Sequence, residues 1–466
     1  MNVFNPSDLG VVSNLYAYFG LLIVLLTYGT ETGYFRFVEK EKDKDKIFTT
    51  LLTSLFITSG LFIIATIVFP GAIAKVINYE HNKEYIILFG LIIGLDTFCS
   101  IPLARLRHEN KAMLFAKINI ISILINIVLN LYFLLLAPYL HKKVPETSVL
   151  NIFNETPTIV FVFIANLVAS FGKFVLLLFS LKIRRIDFDF SVLKKILNYS
   201  YPILIIGVAG VINQSADKIL MPFLIDKADN PYGQLGIYGA NYKLTVIMIV
   251  FIQMFRYAAE PFFFSKAKDD DANDVYAQVM KYFVLFSLLI TVATVCFIDL
   301  LRLVTSDEYF SGSKIVPIVL IGNVFLGIFY NLSIWYKLKD LTLYGAFIAI
   351  VGSIVNISMN VILVPRIGYM GAAYACVSGY FVIMVISYFW GQKVMKIKYP
   401  VKEIGLYFIL ALGIIIASRL VNIDNKILNY SYKTILFFIF TGLIFYNERK
   451  LIFEIIRSRY GRKSRK

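Results

Sequence analysis

Long hydrophobic segments follow one another along almost the whole chain, and the polar stretches between them are short. Crossing ~30 Å of hydrocarbon takes roughly 20 apolar residues in a helix, and about thirteen segments are of that order of length. No polar stretch is long enough to hold a soluble domain. We therefore predict an all-α polytopic membrane protein. The predicted spans are Val11–Tyr28, Phe48–Phe69, Tyr85–Pro102, Met113–Leu140, Thr158–Leu181, Ser200–Ile225, Gly236–Phe255, Val275–Leu301, Ile315–Trp335, Thr342–Val364, Gly368–Trp390, Val401–Leu420 and Tyr430–Tyr446.

Composition agrees with this class, since 58% of the residues are hydrophobic and 16% are charged. The net charge of +16 would suit a nucleic-acid partner, but its distribution indicates otherwise. If the spans alternate in direction, Lys and Arg gather in one set of loops, from Arg36–Lys46 to the tail Arg449–Lys466. This is the positive-inside pattern. It predicts a cytoplasmic C-terminus, contact with membrane lipids and no nucleic-acid partner. The tail Arg457–Lys466 could bind anionic lipid, but a cytoplasmic anchor that follows the same charge rule is the preferred interpretation.

The sequence offers no motif for metal or cofactor chemistry. Cys99, Cys296 and Cys376 all fall within spans and are typical of small buried hydrophobes. Three His are too few for a histidine cluster, and a phosphate-cradling glycine loop is missing. We predict no metal, no cofactor, no catalytic residue and no direct ATP hydrolysis.

Two stretches of the chain resemble each other. Asn5–Tyr16 and Asn230–Tyr242 each stand at the outer start of a span, and Asn-Pro initiates a turn in both. The spans that follow also end alike, at Glu31–Phe35 and Glu260–Phe264. Because both copies run in the same direction, they predict a parallel repeat of the kind found in two-lobed transporters.

The repeat sets the expected domain organisation. A complete span, Ser200–Ile225, precedes the second copy, whereas only Met1–Phe4 precede the first. We therefore expect that an opening helix is missing; a natural thirteen-span protein is the alternative. The predicted domains are an N-terminal lobe (1–182), a C-terminal lobe (195–391), two additional spans (400–447) and a basic cytoplasmic tail (448–466).

The seventh span has the richest set of polar side chains. At 100° per residue, six of them lie within about 120° of one another, so that one face is polar from end to end. The six are Tyr238, Asn241, Tyr242, Gln253, Arg256 and Glu260. A charge at the bilayer centre costs at least ~2.5–3.5 kcal/mol, and we predict that this face lines a substrate cavity. In the alternative, Arg256 and Glu260 only snorkel or pair with each other across one turn.

Further charged side chains interrupt other spans. Lys243 lies outside the polar face but within the same span. It is interpreted either as a cavity cation or as a side chain that reaches the outer interface. Asp217 and Asp96 are candidates for binding a coupling proton or sodium ion. Each has a structural alternative, in which Asp217 pairs with Lys243 or a neighbour. Lys173 in the fifth span is open to the same two interpretations, a functional charge or a structural partner.

The same residues resemble a known family. Leu9–Tyr18 followed by Leu25–Phe37 resembles polysaccharide-biosynthesis flippases (oligosaccharide or O-antigen translocases) of the multidrug/oligosaccharidyl-lipid/polysaccharide exporter superfamily. Pro365–Tyr374 resembles a pattern near the end of their second lobe, and the likeness covers nearly the whole chain. It implies two six-helix lobes around a central cavity plus two further helices. Tyr238–Lys243 is similar to the stretch that supplies a cavity cation in related peptidoglycan-precursor flippases.

The resemblance implies a function. An undecaprenyl-pyrophosphate-linked oligosaccharide would cross from the cytoplasmic to the outer leaflet of the bacterial inner membrane by alternating access, for surface polysaccharide such as lipopolysaccharide. Polysaccharide polymerase and assembly proteins are further expected partners. Cations near Arg36 and Arg256 would attract the pyrophosphate. Glu31 and Arg36 would form a gate or an interlobe pair, with ordinary interfacial charge as the alternative.

Two other functions fit an all-helical protein of this kind. A cation-coupled drug exporter would favour acidic residues for cationic drugs, and the run Tyr28–Thr32 argues against it. A membrane oligosaccharide polymerase or glycosyltransferase would need a sizeable outer loop or paired external carboxylates. Asp226 with Asp229, and Asp307 with Glu308, are better interpreted as solvated loop charge.

Overall fold

The structure is a computed structural model, and it describes residues 4–40, 43–143, 159–181, 187–267, 269–301, 306–421 and 425–463. Within these ranges every regular element is a helix. Thirteen of the helical segments are long and apolar enough to cross a membrane. Their order along the chain follows the predicted spans, so the all-α membrane class and the number of visible spans are confirmed.

The described residues form twenty α-helices. They are α1 (Pro6–Thr27), α2 (Thr30–Lys40), α3 (Lys44–Val68), α4 (Pro70–Val76), α5 (Lys83–His108), α6 (Ala112–Leu131), α7 (Ala137–Lys143), α8 (Ile159–Ser180), α9 (Phe190–Leu224), α10 (Pro231–Lys243), α11 (Val246–Lys266), α12 (Ala272–Cys296), α13 (Ile298–Leu301), α14 (Asp307–Phe310), α15 (Ile315–Leu332), α16 (Ile334–Leu338), α17 (Thr342–Ile367), α18 (Tyr369–Val394), α19 (Val401–Leu420) and α20 (Lys426–Lys463). A π-helical turn, Tyr132–Leu136, joins α6 to α7.

These helices divide into two compact units, one ending at Leu235 and the other beginning at Gly236. We call them the N-terminal unit and the C-terminal unit. In the N-terminal unit α9 packs against α1, α2 and α3. The sequence analysis placed this helix, as Ser200–Ile225, in the C-terminal lobe. The boundary between the compact units therefore lies later in the chain than the predicted lobe boundary, and the lobe assignment of α9 stays a prediction.

The same succession of helix contacts occurs inside each unit. In the N-terminal unit α2 packs on α3, α3 on α5, and α8 on both α5 and α6. In the C-terminal unit α11 packs on α12, α12 on α15, and α18 on both α15 and α17. The equal chain order is what a parallel repeat requires. A pair of asparagines that the sequence analysis missed repeats as well: Asn130 donates to Asn126 in α6, and Asn360 donates to Asn356 in α17.

Both copies of the Asn-Pro motif begin a helix in the same way. The side-chain oxygen of Asn5 accepts a hydrogen bond from the Asp8 N–H at 2.8 Å, and that of Asn230 accepts one from the Gly233 N–H at 2.9 Å. Such a cap satisfies a backbone donor that the helix leaves free and is worth about 1 kcal/mol. The turns predicted from Asn-Pro are confirmed.

A buried asparagine in each copy ties its helix to a tyrosine of the same unit. The Tyr79 hydroxyl donates to Asn14 Oδ1 at 2.9 Å, and the Asn241 amide donates to the Tyr309 carbonyl at 2.6 Å. Tyr79 lies in the turn before α5, where burial raises the pKa of Tyr79 well above its ordinary value. Its hydroxyl therefore stays protonated and remains a donor.

The first spanning segment of the structure, Pro6–Lys40, continues past the predicted end at Tyr28 and is broken there between α1 and α2. Tyr28 and Gly29 both have positive φ, 34° and 73°, a conformation that interrupts the helix and that glycine adopts without steric cost. The neighbouring helix α9 also comes close here, because a Cβ on Gly29 would meet the Ser200 carbonyl oxygen at 3.0 Å. Glycine is required at this position by both its conformation and its packing.

An ion pair fastens α9 to α3. Asp189 caps α9 by accepting a hydrogen bond from the Ser191 N–H at 2.8 Å, and its carboxylate lies 2.7 Å from the Lys46 ammonium. The hydrogen bond from Lys46, followed by those from Ser191 and Val192, holds the pKa of Asp189 well below its ordinary range. The stabilisation by a carboxylate with a lowered pKa is lost only as the pH falls through that pKa, so this link persists at neutral pH.

Ion pairs also fasten the two additional C-terminal helices to the C-terminal unit. Lys281 in α12 lies 2.7 Å from the carboxylates of both Glu403 in α19 and Glu448 in α20. Lys433 in α20 pairs with Asp299 in α13. Because α13 follows the end of α12 while Lys281 lies in the first half of α12, α20 is held at two well-separated positions, Lys433 and Glu448.

Gly371→Ala is expected to destabilise the protein. Gly371 lies in the first turn of α18, where an added Cβ would meet the carbonyl carbon and oxygen of Leu363 at 2.6 and 2.7 Å. Since these are backbone atoms, α17 and α18 must move apart, and overpacking of this kind costs about 1–3 kcal/mol. The apparent melting temperature in detergent, followed by the fluorescence of Trp335 and Trp390, should fall.

Gly413→Ala in α19 is the matched control, because a Cβ added there has no atom within 4 Å. Alanine is preferred to glycine inside a helix by about 1 kcal/mol, so this variant should be at least as stable as the wild type. Equal melting temperatures of the two variants would contradict the close packing of α17 on α18.

Candidate functional site

The six polar residues of the predicted seventh span do not lie on one continuous helix. α10 ends at Lys243 and α11 begins at Val246. At the break Thr245 has φ −87° and ψ 0°, and its hydroxyl donates to the Tyr242 carbonyl at 2.7 Å. The 100° spacing used in the sequence analysis holds only within an unbroken helix. The expectation of a single polar face from end to end is therefore wrong.

The polar residues of the predicted seventh span that lie in α10 are mostly packed in the interior. Tyr238 and Asn241 are 0% and 2% exposed, and Asn241 holds the Tyr309 carbonyl as described above. Tyr242 is half-buried, with its ring 5.9 Å from that of Tyr238. Lys243 is exposed in the last turn of α10. The cavity role of these four residues stays a prediction.

The part that lies in α11 forms a polar cluster of the C-terminal unit. The Arg256 guanidinium lies 4.9 Å from the centre of the Tyr330 ring, and the Lys337 ammonium lies 2.8 Å from the Glu260 carboxylate. These four residues border one small pocket, and we call them the α11 cluster. Arg256 and Glu260 take different partners instead of pairing with each other across one turn. Gln253, one turn earlier, is exposed and lies outside the cluster.

A second polar cluster lies in the N-terminal unit. The Arg107 guanidinium pairs with the Glu31 carboxylate, and the Arg36 guanidinium lies 4.0 Å from the centre of the Tyr199 ring. We call these four residues the α2 cluster. Glu31 thus has a partner on α5, while Arg36 stacks on α9. Their predicted role as a gate or interlobe pair stays a prediction.

The two clusters share an ion pair at equivalent places. Glu31 and Glu260 match in the sequence repeat, and their partners follow at 76 residues for Arg107 and 77 residues for Lys337. Arg107 lies in the last turn of α5, and Lys337 lies in α16 directly after α15. Because α5 and α15 occupy equivalent packing positions in their units, the two pairs are counterparts. The sequence analysis missed both cations, and their equal spacing from the glutamates was the available signal.

A different polar site lies inside the N-terminal unit. The Lys173 ammonium in α8 lies 2.5 Å from the Asp96 carboxylate in α5, and the side chains are 16% and 13% exposed. The structural alternative for Asp96 is thereby observed, since a charge within a span needs a partner. Asp217 in α9 is 2% exposed and accepts a hydrogen bond from the Lys218 N–H at 2.8 Å. The coupling-ion role of Asp96 and Asp217 stays a prediction.

The chemistry of both clusters suits an anion. A guanidinium group presents a planar fork of N–H donors that matches the oxygens of a phosphate, and an ammonium group adds a point charge. Among the residues that the structure describes, no group of three or more His, Cys, Asp and Glu side chains is placed to hold a metal ion. Guanidinium and ammonium groups of this kind can attract and orient a phosphate-bearing group.

Comparison with known proteins gives a family and a fold. A sequence profile described as "Polysaccharide biosynthesis protein" matches residues 1–267. The chain is similar to the solved structure "Lipid II flippase MurJ, inward closed conformation", with a TM-score of 0.71 and 16% identity over 96% of this chain and 98% of that chain. It is also similar to the inward-facing conformation of a multidrug resistance MATE family transporter of the MOP superfamily, with a TM-score of 0.66 and 16% identity over 84% of this chain and 90% of that chain. No curated protein matches the sequence.

At these identities the structural likeness establishes the fold alone, which is the two-lobed helical fold that these two solved structures share. The solved structures with this fold named above are a flippase and a transporter. The sequence profile covers more than half of the 466 residues. The chain belongs to the polysaccharide biosynthesis protein family.

Proposed function

We propose that this multi-pass membrane protein translocates an oligosaccharide linked to undecaprenyl pyrophosphate from the cytoplasmic to the outer leaflet. The observation that carries the proposal is the repeated carboxylate–cation pair, Glu31 with Arg107 and Glu260 with Lys337, together with a further arginine on the helix that carries each glutamate. Membership of a polysaccharide biosynthesis family and a fold similar to that of a lipid II flippase support it.

The arginines of the clusters are suited to the pyrophosphate of such a carrier. The guanidinium carbons of Arg36 and Arg256 lie over tyrosine rings, at 4.0 and 4.9 Å from the ring centres. This leaves donors at the edge of each plane open to phosphate oxygens. Because the surroundings are partly apolar, the attraction between the charges is stronger than in water. The sugars would follow into the polar cavity while the lipid tail stays in the bilayer.

The distribution of Lys and Arg supports an orientation for this activity. The rich set of loops faces the cytoplasm under the positive-inside rule, which places the C-terminus and both clusters on that side of a bacterial inner membrane. The lobes would then alternate between inward-open and outward-open states about a central site. Such a step would serve the assembly of cell-surface polysaccharide together with a polymerase.

Cation-coupled drug export is the alternative function, supported by the likeness to MATE family transporters. A binding site for cationic drugs would favour carboxylates that are available to the drug. In each cluster the carboxylate is instead paired with Arg107 or Lys337, and an arginine stands beside the pair. The charge of the clusters therefore favours an anionic substrate.

Arg256→Gln is expected to lower the initial rate of translocation by about tenfold, because a hydrogen bond to a charged group is worth about 1.5–3 kcal/mol. The assay uses proteoliposomes with lipid-linked oligosaccharide extracted from the native host and a membrane-impermeant lectin. The control is Arg366→Gln. Arg366 is exposed and lies in the last turn of α17, at the opposite end of that helix from the turn that follows α16. Equal rates for both variants, at equal insertion, would contradict the role given to Arg256.

A charge exchange tests the ion pair of the α11 cluster. Lys337→Glu alone places two carboxylates side by side and should slow translocation several-fold. Adding Glu260→Lys restores an ion pair of opposite polarity and should recover most of the rate if the pair positions α11. A double variant as slow as the single one would mean that Lys337 itself contacts the substrate.

The pair of Asp96 with Lys173 tests ion coupling. Asp96→Asn leaves a largely buried ammonium without its partner, at a cost of about 3–5 kcal/mol for a fully buried pair, and should reduce the yield of folded protein. Asp96→Leu with Lys173→Met removes both charges and should restore folding. If Asp96 binds the coupling ion, this folded double variant will not respond to an imposed proton or sodium gradient. A wild-type response would exclude that role.

A further inference from the structure

An apolar groove is present in the C-terminal unit. It is formed by α12, α15, α18 and α19, and its volume is about 390 Å³, or about 990 Å³ when the open mouth is included. Its walls consist of aliphatic and aromatic side chains, among them Phe325, Met384, Phe389 and Phe408. It shares no lining residue with the α11 cluster. A groove of this composition suits a hydrocarbon chain.

The groove lies toward one end of these four helices. Met280 stands in the first third of α12, Leu332 ends α15, Phe389 stands near the end of α18, and Val401 begins α19. Because the helices alternate in direction, these positions share one side of the membrane. The orientation given under the proposed function makes this side cytoplasmic. The assignment to the cytoplasmic leaflet is the only part of the inference that rests on the proposed function.

The connection between α18 and α19 runs along the end of the groove and is rich in lysine. Exposed lysines lie in the connection, at Lys396 and Lys398, and in the helix turns on either side of it, at Lys393 in α18 and Lys402 in α19. Ile397 is 2% exposed and packs with the core, so the connection is anchored while its ammonium groups point outward. Tyr399 and Val401 line the groove, and each is the direct neighbour of a lysine, Lys398 and Lys402.

Acidic groups also lie near the groove, but their net negative charge is smaller than the positive charge of the lysines. Glu403 follows Lys402 in the chain, but it shares the Lys281 ammonium with Glu448, at 2.7 Å from each carboxylate. These three residues together contribute one negative charge. The four positive charges of Lys393, Lys396, Lys398 and Lys402 exceed this one negative charge, so the mouth of the groove attracts anions.

We propose that the groove binds a fatty-acyl chain of an anionic phospholipid, with the lipid phosphate held by Lys398 and Lys402. At about 30 Å³ for a group the size of a water molecule, the 390 Å³ of the groove has room for roughly 13 methylene groups, which corresponds to most of one acyl chain. An anionic head group near basic side chains adds an electrostatic attraction. The bound lipid would fill the space between α18 and α19 and support the additional helix on the C-terminal unit.

Glycine positions in α19 give a matched pair of test variants. Gly405 lines the groove, and a Cβ added to it would have no atom within 4 Å. Gly405→Trp therefore fills the groove without a backbone clash. Gly413 lies two turns further along α19, is equally open and is not part of the groove. Gly413→Trp is the control for the effect of the side chain itself.

The experiment measures binding of radiolabelled dioleoyl phosphatidylglycerol to the full-length protein in detergent micelles, with dioleoyl phosphatidylcholine as the neutral comparison. Wild type and Gly413→Trp should bind the anionic lipid in preference to the neutral one. Gly405→Trp should bind both at least tenfold more weakly. Lys398→Gln and Lys402→Gln should each weaken only the anionic lipid, by about fivefold. Melting temperatures without added lipid show that each variant is folded.

Equal binding by Gly405→Trp and Gly413→Trp would overturn the proposal, as would equal binding of the two lipids by the wild type. Undecaprenyl phosphate serves as competitor. If it displaces phosphatidylglycerol more strongly than unlabelled phosphatidylglycerol does, the groove belongs to the carrier lipid and the assignment to a phospholipid is wrong. Because binding is measured without translocation, the flippase assay on the wild type tests the proposed function separately.

Discussion

A charge within or at the edge of hydrocarbon needs a partner, and this constraint limits which helix faces of each unit can meet. Asp96 and Lys173 join α5 to α8 in the N-terminal unit. Lys281 joins α12 to both additional helices through Glu403 and Glu448 in the C-terminal unit. Such pairs add little net stability, because desolvation of the charges offsets their attraction. They instead fix the register of helices whose apolar surfaces would pack in many ways.

The breaks at the end of the first predicted span and within the seventh separate polar clusters from buried helix surface. In the N-terminal unit the break at Tyr28 and Gly29 leaves α2 only 11 residues long. In the C-terminal unit the break at Thr245 comes earlier in its copy and leaves α11 with 21 residues. The repeat is therefore kept in the caps and in the carboxylate–cation pairs but not in the path of the backbone. Equal chemistry is carried on helices of different length.

Hydrophobic patterning was sufficient to find thirteen spans, because a membrane helix needs an apolar segment of a set length, but it placed the seventh at Gly236–Phe255 whereas the structure has it at Val246–Lys266. The Asn-Pro motifs located both helix starts, since the cap is a local interaction. The partner cations could not be predicted from the sequence. Helical periodicity gives the face on which Glu31 or Glu260 lies, but it does not say which helix packs against that face. That depends on contacts between residues 76 or 77 positions apart. The break near Thr245 has no glycine or proline to announce it, and the calculated polar face failed there.

The counterpart ion pairs are not explained by stability alone. Glu260 and Lys337 are 38% and 27% exposed, and Glu31 and Arg107 are 45% and 39% exposed. Pairs this accessible contribute about 0–1 kcal/mol. Each joins the helix that carries the cluster arginine to the end of α5 or to α16. Under the proposed function, the helix that carries the cluster arginine moves after the pyrophosphate has arrived at that arginine. A weak pair suits that movement, because a strong one would hold the helix in place.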